Sequence, residues 1–96
     1  MLKIKISDKA RSVMLETALW YEINMGWRAK MHFINGINKT MKTLAAFPNI
    51  GKIAAKQPIQ GITLRSIKEH KNHIIIYYIT EDSVHIADIW STRMQH

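Results

Sequence analysis

Seven consecutive residues, His73-Ile74-Ile75-Ile76-Tyr77-Tyr78-Ile79, are β-branched or aromatic apart from the leading histidine. A run of this kind fits a strand with neighbours on both edges, and few folds can place it anywhere but the centre of a sheet. Before it, Leu64-Arg65-Ser66-Ile67-Lys68-Glu69 mixes apolar and polar positions as a half-exposed strand does, and His70-Lys71-Asn72 supplies turn-forming polar residues. After it, Glu81-Asp82 between Thr80 and Ser83 makes a two-residue turn into Val84-His85-Ile86-Ala87-Asp88-Ile89-Trp90. The stretch from Ile62 to Met94 therefore reads as three antiparallel strands.

Upstream the period changes. Ser7 or Asp8 can cap a helix in which Ala10, Val13, Met14, Thr17, Ala18 and Tyr21 recur at three- and four-residue spacing. Asn24-Met25-Gly26 breaks it. A second helix starts near Trp27, with Phe33, Ile37, Met41 and Leu44 on one face, and Pro48 ends it. Trp20 and Trp27 flank the junction and are expected to pack there, as Tyr77 and Trp90 are in the core. The alternating start Met1-Leu2-Lys3-Ile4-Lys5-Ile6 reads as a first strand, whereas Pro48 to Gly61, with Lys52 and Lys56, has no clear period and reads as a mobile basic loop. The order is β-α-α-β-β-β, an α+β arrangement in which a helical hairpin packs on one face of a mainly antiparallel four-stranded sheet.

Ninety-six residues make one domain, spanning 1–96. There is no cysteine, so neither a disulfide framework nor a thiolate metal site is available. His70 and His73 sit at a turn without a carboxylate at ligand spacing, and neither a metal nor a cofactor is expected. No segment approaches the ~18 apolar residues of a membrane span, and the start lacks the apolar stretch of a signal peptide, so a cytoplasmic protein with no membrane partner is expected. Fourteen Lys and Arg against seven Asp and Glu give a net charge of +7, a strong field that favours an acidic partner.

Two-residue turns on both sides of the central strand would set Arg65, Tyr78 and His85 in one cross-strand row, with Ile67, Ile76 and Ala87 in the next and Ile74 and Ile89 beyond. Leu64, Ile75, Ile79, Val84, Ile86 and Trp90 would then face the helices. A one-residue slip at the first turn would move the Arg65 strand to the opposite face. In the expected register the face away from the helices exposes Ile67, Ile74, Ile76 and Ile89, more apolar surface than a monomer usually leaves wet. Burying each of them is worth about 1.5–3 kcal/mol, so a covering partner is expected.

The phrases Leu64-Arg65-Ser66, His70-Lys71-Asn72, Ile74-Ile75-Ile76-Tyr77-Tyr78 and Ile86-Ala87-Asp88-Ile89-Trp90-Ser91-Thr92-Arg93 resemble the RelE/ParE superfamily of bacterial toxins. Trp20, Ala29 and Leu44-Ala45-Ala46-Phe47-Pro48-Asn49-Ile50-Gly51 resemble its helical half and its Pro-x-x-Gly exit. The likeness covers nearly the whole chain and rests on order and spacing.

This resemblance implies the toxin of a type II toxin–antitoxin pair, silenced by a cognate antitoxin whose acidic segment wraps it. Arg65, Ile67, Ile74, Ile76, Tyr78 and Ile89 are the residues expected to meet that antitoxin. ParE-like members poison DNA gyrase and need no catalytic set, whereas RelE-like members cut mRNA on the ribosome with basic and acid/base side chains on the open sheet face. Where RelE-like nucleases carry lysines and an arginine, this chain has Gly61, Thr63 and Ile74. The resemblance is therefore closer to the ParE-like branch, with Arg65 and Arg93 expected to contact the target. In the alternative, a ribosome-dependent mRNA endoribonuclease, Arg65, His85 and Arg93 would form the catalytic group.

Overall fold

The computed structural model describes residues 1–54, 60–70 and 72–91. Lys56 and Arg93, both singled out in the sequence, lie outside them.

Strand β1 (Lys3–Ile6) leads into helix α1 (Asp8–Met25), then helix α2 (Trp27–Ala46), and strands β2 (Lys52–Ile53), β3 (Arg65–Glu69), β4 (His73–Ile79) and β5 (Ser83–Ser91) follow. The sheet order is β1-β5-β4-β3-β2, with β1 parallel to β5 and every other pair antiparallel. The α+β architecture is the expected one, and β4 is indeed flanked on both edges. The fifth strand, β2, and a 3-10 turn at Pro48–Ile50 occupy the start of the segment expected to be an irregular loop. The edge of β3 recruits Lys52 and Ile53, and Ala54 continues the ladder by donating its N–H to the Leu64 carbonyl at 2.8 Å.

Helix α1 starts where its cap requires. The Ser7 hydroxyl accepts the Ala10 N–H at 3.0 Å, satisfying one of the helix's unpaired amides, and donates to the Ala87 carbonyl at 2.8 Å. Gly26, at φ +94°, makes the junction with α2, a backbone angle that side-chain-bearing residues rarely adopt. Ala10, Ala18 and Tyr21 of α1 and Phe33, Ile37, Met41 and Leu44 of α2 are buried against Ile75, Tyr77, Val84, Ile86 and Ile89 of the sheet. Trp20 packs edge-on to Tyr21 with ring centroids 5.3 Å apart. Trp27 does not pack into the junction; it is exposed, with the Arg28 guanidinium 5.5 Å over its ring.

The sheet register differs from the expected one at two places, each with a local cause. The turn between β3 and β4 has three residues rather than two: Glu69 pairs with His73, and His70 takes a φ of +60°. The slip sets Arg65 opposite Tyr77 and Ile67 opposite Ile75, so the β3 side chains alternate the other way and Arg65 and Ile67 belong to the helix-side face. In β5 a bulge opposite Ile76 and Tyr77 inserts Ala87 as an extra residue. Beyond it Ile89, expected outside, is buried, and Trp90, expected in the core, is exposed. The Glu81-Asp82 turn and the Tyr78 to His85 pairing are as expected.

Candidate partner-binding face

Strand β4 presents Ile74, Ile76 and Tyr78 to the side away from the helices, because Ile75 and Tyr77 between them are buried. Cross-strand pairing extends each of these three positions into a row. Lys68, Ile74 and Trp90 form one, and Lys52, Ser66, Ile76 and Asp88 the next. The third runs through Tyr78, His85 and Lys5, and Lys3 lies two residues before Lys5 on the same face of β1. The result is an apolar ridge along the middle of the sheet with lysines on both flanks: Lys52 and Lys68 on one, Lys3 and Lys5 on the other.

Two local contacts stiffen this face. The Tyr78 and His85 rings stack with centroids 4.6 Å apart and planes 1° from parallel, and the Thr80 hydroxyl lies 3.0 Å from His85 Nε2. Asp88 accepts from Lys9 Nζ at 3.0 Å, from Trp90 Nε1 at 2.9 Å and from the Ile89 N–H at 2.8 Å. Partial burial works to raise the Asp88 pKa, but these three donors outweigh it and hold the carboxyl below its ordinary value. Its negative charge is thus matched by Lys9, and the flanking lysines leave the face basic.

Of the residues expected to meet an antitoxin, Ile74, Ile76 and Tyr78 come together here, while Arg65, Ile67 and Ile89 lie on the opposite face. His85 is on the open face, and Arg65 is not beside it. The Arg65 guanidinium donates to the Gly51 carbonyl at 2.8 Å and reaches the Asn49 carbonyl at 3.5 Å. Next to it the buried Tyr77 hydroxyl donates to the Pro48 carbonyl at 2.7 Å and accepts the Gly51 N–H at 2.9 Å. Burial raises the Tyr77 pKa, against the opposing pull of the Gly51 N–H and Arg65. The Pro-x-x-Gly phrase is therefore a turn clamped from below by two side chains of the sheet.

A second polar cluster, formed by Tyr21, His73 and Glu69, lies on the helix side of β4. His73, only 3 % exposed, lies between the Tyr21 hydroxyl, 2.9 Å from Nε2, and the Glu69 carboxylate, 3.1 Å from Nδ1. Burial lowers the His73 pKa below 6.5, and the Glu69 carboxylate opposes the shift. Gly36 gives Glu69 the room to approach, since a side chain there would strike the carboxylate. The available signal was the apolar setting of His73, at the head of an isoleucine run and two residues from a buried position. Among the described residues no three His, Asp or Glu side chains are grouped to hold a metal ion, and no helix is long and apolar enough to cross a membrane.

The sequence matches the family described as ParE toxin of type II toxin-antitoxin system, parDE, over residues 4–96. The chain belongs to the ParE toxin family. Among solved structures, this ParE-family chain is similar to one from the chromosomal ParDE toxin–antitoxin system of P. aeruginosa, with a TM-score of 0.76 at 14% identity, covering 95% of this chain and 96% of that one. It is also similar to a chain in the heterotetrameric YoeB-YefM toxin-antitoxin complex of Staphylococcus aureus, with a TM-score of 0.54 at 18% identity, covering 94% and 95%. At these identities the likeness is one of fold. None of the curated proteins compared matches the ParE-family chain in sequence.

Proposed function

We propose that this ParE-type toxin poisons DNA gyrase and is silenced by a cognate antitoxin that lies across the open sheet face. The observation carrying the antitoxin half is the ridge of Ile74, Ile76 and Tyr78 between two pairs of lysines. An extended or helical segment with apolar residues along its centre and carboxylates on both margins would bury the ridge and neutralise the flanks. The +7 net charge acts over longer range, raising the rate at which such an acidic segment arrives.

The gyrase half rests on family membership and on how the polar side chains are engaged. Cleavage of RNA needs a base, an acid and a donor to the phosphorane converging on one phosphate. Here the Arg65 guanidinium is turned to the Asn49 and Gly51 carbonyls on the helix side, and the His85 ring is stacked on Tyr78 and held at Thr80. A binding role fits this arrangement better than acid–base chemistry.

The test is a pair of assays on purified, antitoxin-free protein. We expect supercoiling by purified gyrase to fall with added toxin and to recover with antitoxin, and a translated mRNA to stay intact. Unchanged supercoiling with folded protein removes the gyrase reading, and cuts in the translated message replace it with ribosome-dependent cleavage.

A further inference from the structure

Between the tip of the helical hairpin and the β3–β4 turn lies a cavity of about 140 Å³. Met25 of α1 with Ala29 and Phe33 of α2 gives it apolar walls, and the Tyr21, His73 and Glu69 cluster gives it a polar side. His32 and His70, both exposed, stand at its rim with their rings edge-on and 6.2 Å between centroids. An apolar cavity of about 150 Å³ takes one benzene molecule, so a single aromatic ring is the size that fits.

Charge and hydrogen bonding select what that ring carries. Among the described residues lining the cavity, Glu69 is the only acid. A carboxylate can accept about four hydrogen bonds, and the described side chains supply Glu69 with one, from His73 Nδ1–H to Oε2 at 3.1 Å. With Nδ1 donating, the neutral His73 ring accepts the Tyr21 hydroxyl at Nε2. Burial keeps His73 uncharged at neutral pH, so this neighbour does not cancel the Glu69 charge. The Glu69 side chain keeps 13% of its surface open, which leaves its spare acceptor capacity within reach of a donor in the cavity. The faces of the Tyr21 and Phe33 rings add to the preference for positive charge.

We propose that this cavity binds a small aromatic cation, a free molecule whose single ring lies among Met25, Ala29 and Phe33 and whose protonated amine donates to the Glu69 carboxylate. Both helices and the β3–β4 turn hold the occupant, so binding fastens the hairpin tip to the sheet and stabilises the folded chain. The cavity is on the helix side of β4, across the sheet from Ile74, Ile76 and Tyr78. The proposal therefore stands apart from the antitoxin and gyrase readings.

Titrations of the antitoxin-free protein followed by amide chemical shifts test this, at about pH 7.5 where an alkyl amine is protonated. The probes are benzylamine, benzyl alcohol and benzoate, nearly equal in size and differing in charge. Benzylamine should bind with a Kd of about 1 mM or tighter, shifting amides around Ala29, Phe33, Glu69 and His73, and benzyl alcohol at least about tenfold more weakly. Benzoate should bind weakest, although the +7 charge of the chain by itself favours an anion. Glu69→Gln should weaken benzylamine at least about tenfold and leave benzyl alcohol unchanged. Ala29→Leu, which fills the cavity, should abolish binding of both, with a circular dichroism spectrum like the parent's. The comparison of probes on the parent decides the charge preference even where a variant does not fold. No benzylamine binding at about 10 mM, equal affinity for the three probes, tighter binding of benzoate, or benzylamine binding that survives both substitutions overturns the proposal.

Discussion

The His85 ring lies flat on the Tyr78 ring, 4.6 Å between centroids, and the pair closes one end of the isoleucine ridge. Each ring holds the other in a single orientation, so a partner meets a rigid aromatic surface at small entropic cost. Rigid, well-packed aromatic residues within an interface are where binding energy concentrates. We therefore expect Tyr78→Ala to weaken antitoxin binding by about tenfold or more while leaving the thermal midpoint within a few degrees of the parent. Calorimetric titration with unfolding curves on the same sample measures both, and unaltered affinity would take Tyr78 out of the interface.

Ile76 stands at the middle of the ridge, with Ser66 on one side and Asp88 on the other. Ile76→Lys would place a charge where the partner is driest, and we expect loss of antitoxin binding by at least about a hundredfold. Lys68→Gln, at the margin, should instead slow association and flatten its dependence on salt, with a smaller change in dissociation. Surface plasmon resonance at two ionic strengths separates the two effects. Equal responses from the central and marginal variants would contradict the assigned geometry.

Gly51 is tested by adding a methyl group. A Cβ there would sit 2.5 Å from the Tyr77 hydroxyl oxygen and 2.7 Å from the Ser66 carbonyl oxygen. The Ser66 carbonyl is backbone, and the Tyr77 hydroxyl is held by Pro48 and Gly51, so neither yields easily. Gly51→Ala should cost about 1–3 kcal/mol, and in a domain of this size each kcal/mol lowers the melting temperature by about 4–8 °C. Tyr77→Phe, which leaves the buried Gly51 N–H without its acceptor, should cost about 1–3 kcal/mol as well. A Gly51→Ala protein melting with the parent would mean that the turn is not clamped.

His73 makes stability depend on pH. Burial depresses its folded-state pKa below the ordinary 6.5 despite the opposing Glu69 carboxylate. Between the two values the unfolded chain binds the proton and the folded chain does not, so stability rises with pH in that window. The contribution is full above 6.5 and is lost as the pH falls through 6.5 toward the folded pKa. Asp88, already held below its ordinary 3.8, acts only at lower pH. Urea midpoints at about pH 7.5 and about pH 5.5 should show the lower value at the acidic pH. A midpoint that is level or higher at pH 5.5 would exclude His73 as a buried neutral group.

Much of the fold is legible in residue pattern, because the signals are local. The Ser7 cap, the Gly26 break, the Pro48 stop and the unbroken run of β4 each act within a few positions, and each element forms where they direct. The face assignment is less legible because it depends on counting across turns. A third turn residue after Glu69 and the extra Ala87 in β5 each shift alternation by one, and neither carries a glycine or another mark in the sequence. That is why Ile74, Ile76, Tyr78 and His85 are found on the open face while Arg65, Ile67 and Ile89 are not. The clamp on Pro48 to Gly51 and the bond from Tyr21 to His73 join residues 14 to 52 positions apart, beyond the reach of any local pattern.

The bond from Ser7 to Ala87 spans 80 positions, and it accompanies a pairing in which the first strand lies against the last. Contacts of such high sequence separation form late and raise the barrier to folding. On the ribosome, β1 must wait for β5 to emerge before it has a partner, and the Lys5, His85 and Tyr78 row does not exist until then. A nascent chain thus lacks the assembled open face until synthesis has passed β5, and any partner that reads this face across β1, β5 and β4 can engage it only afterwards.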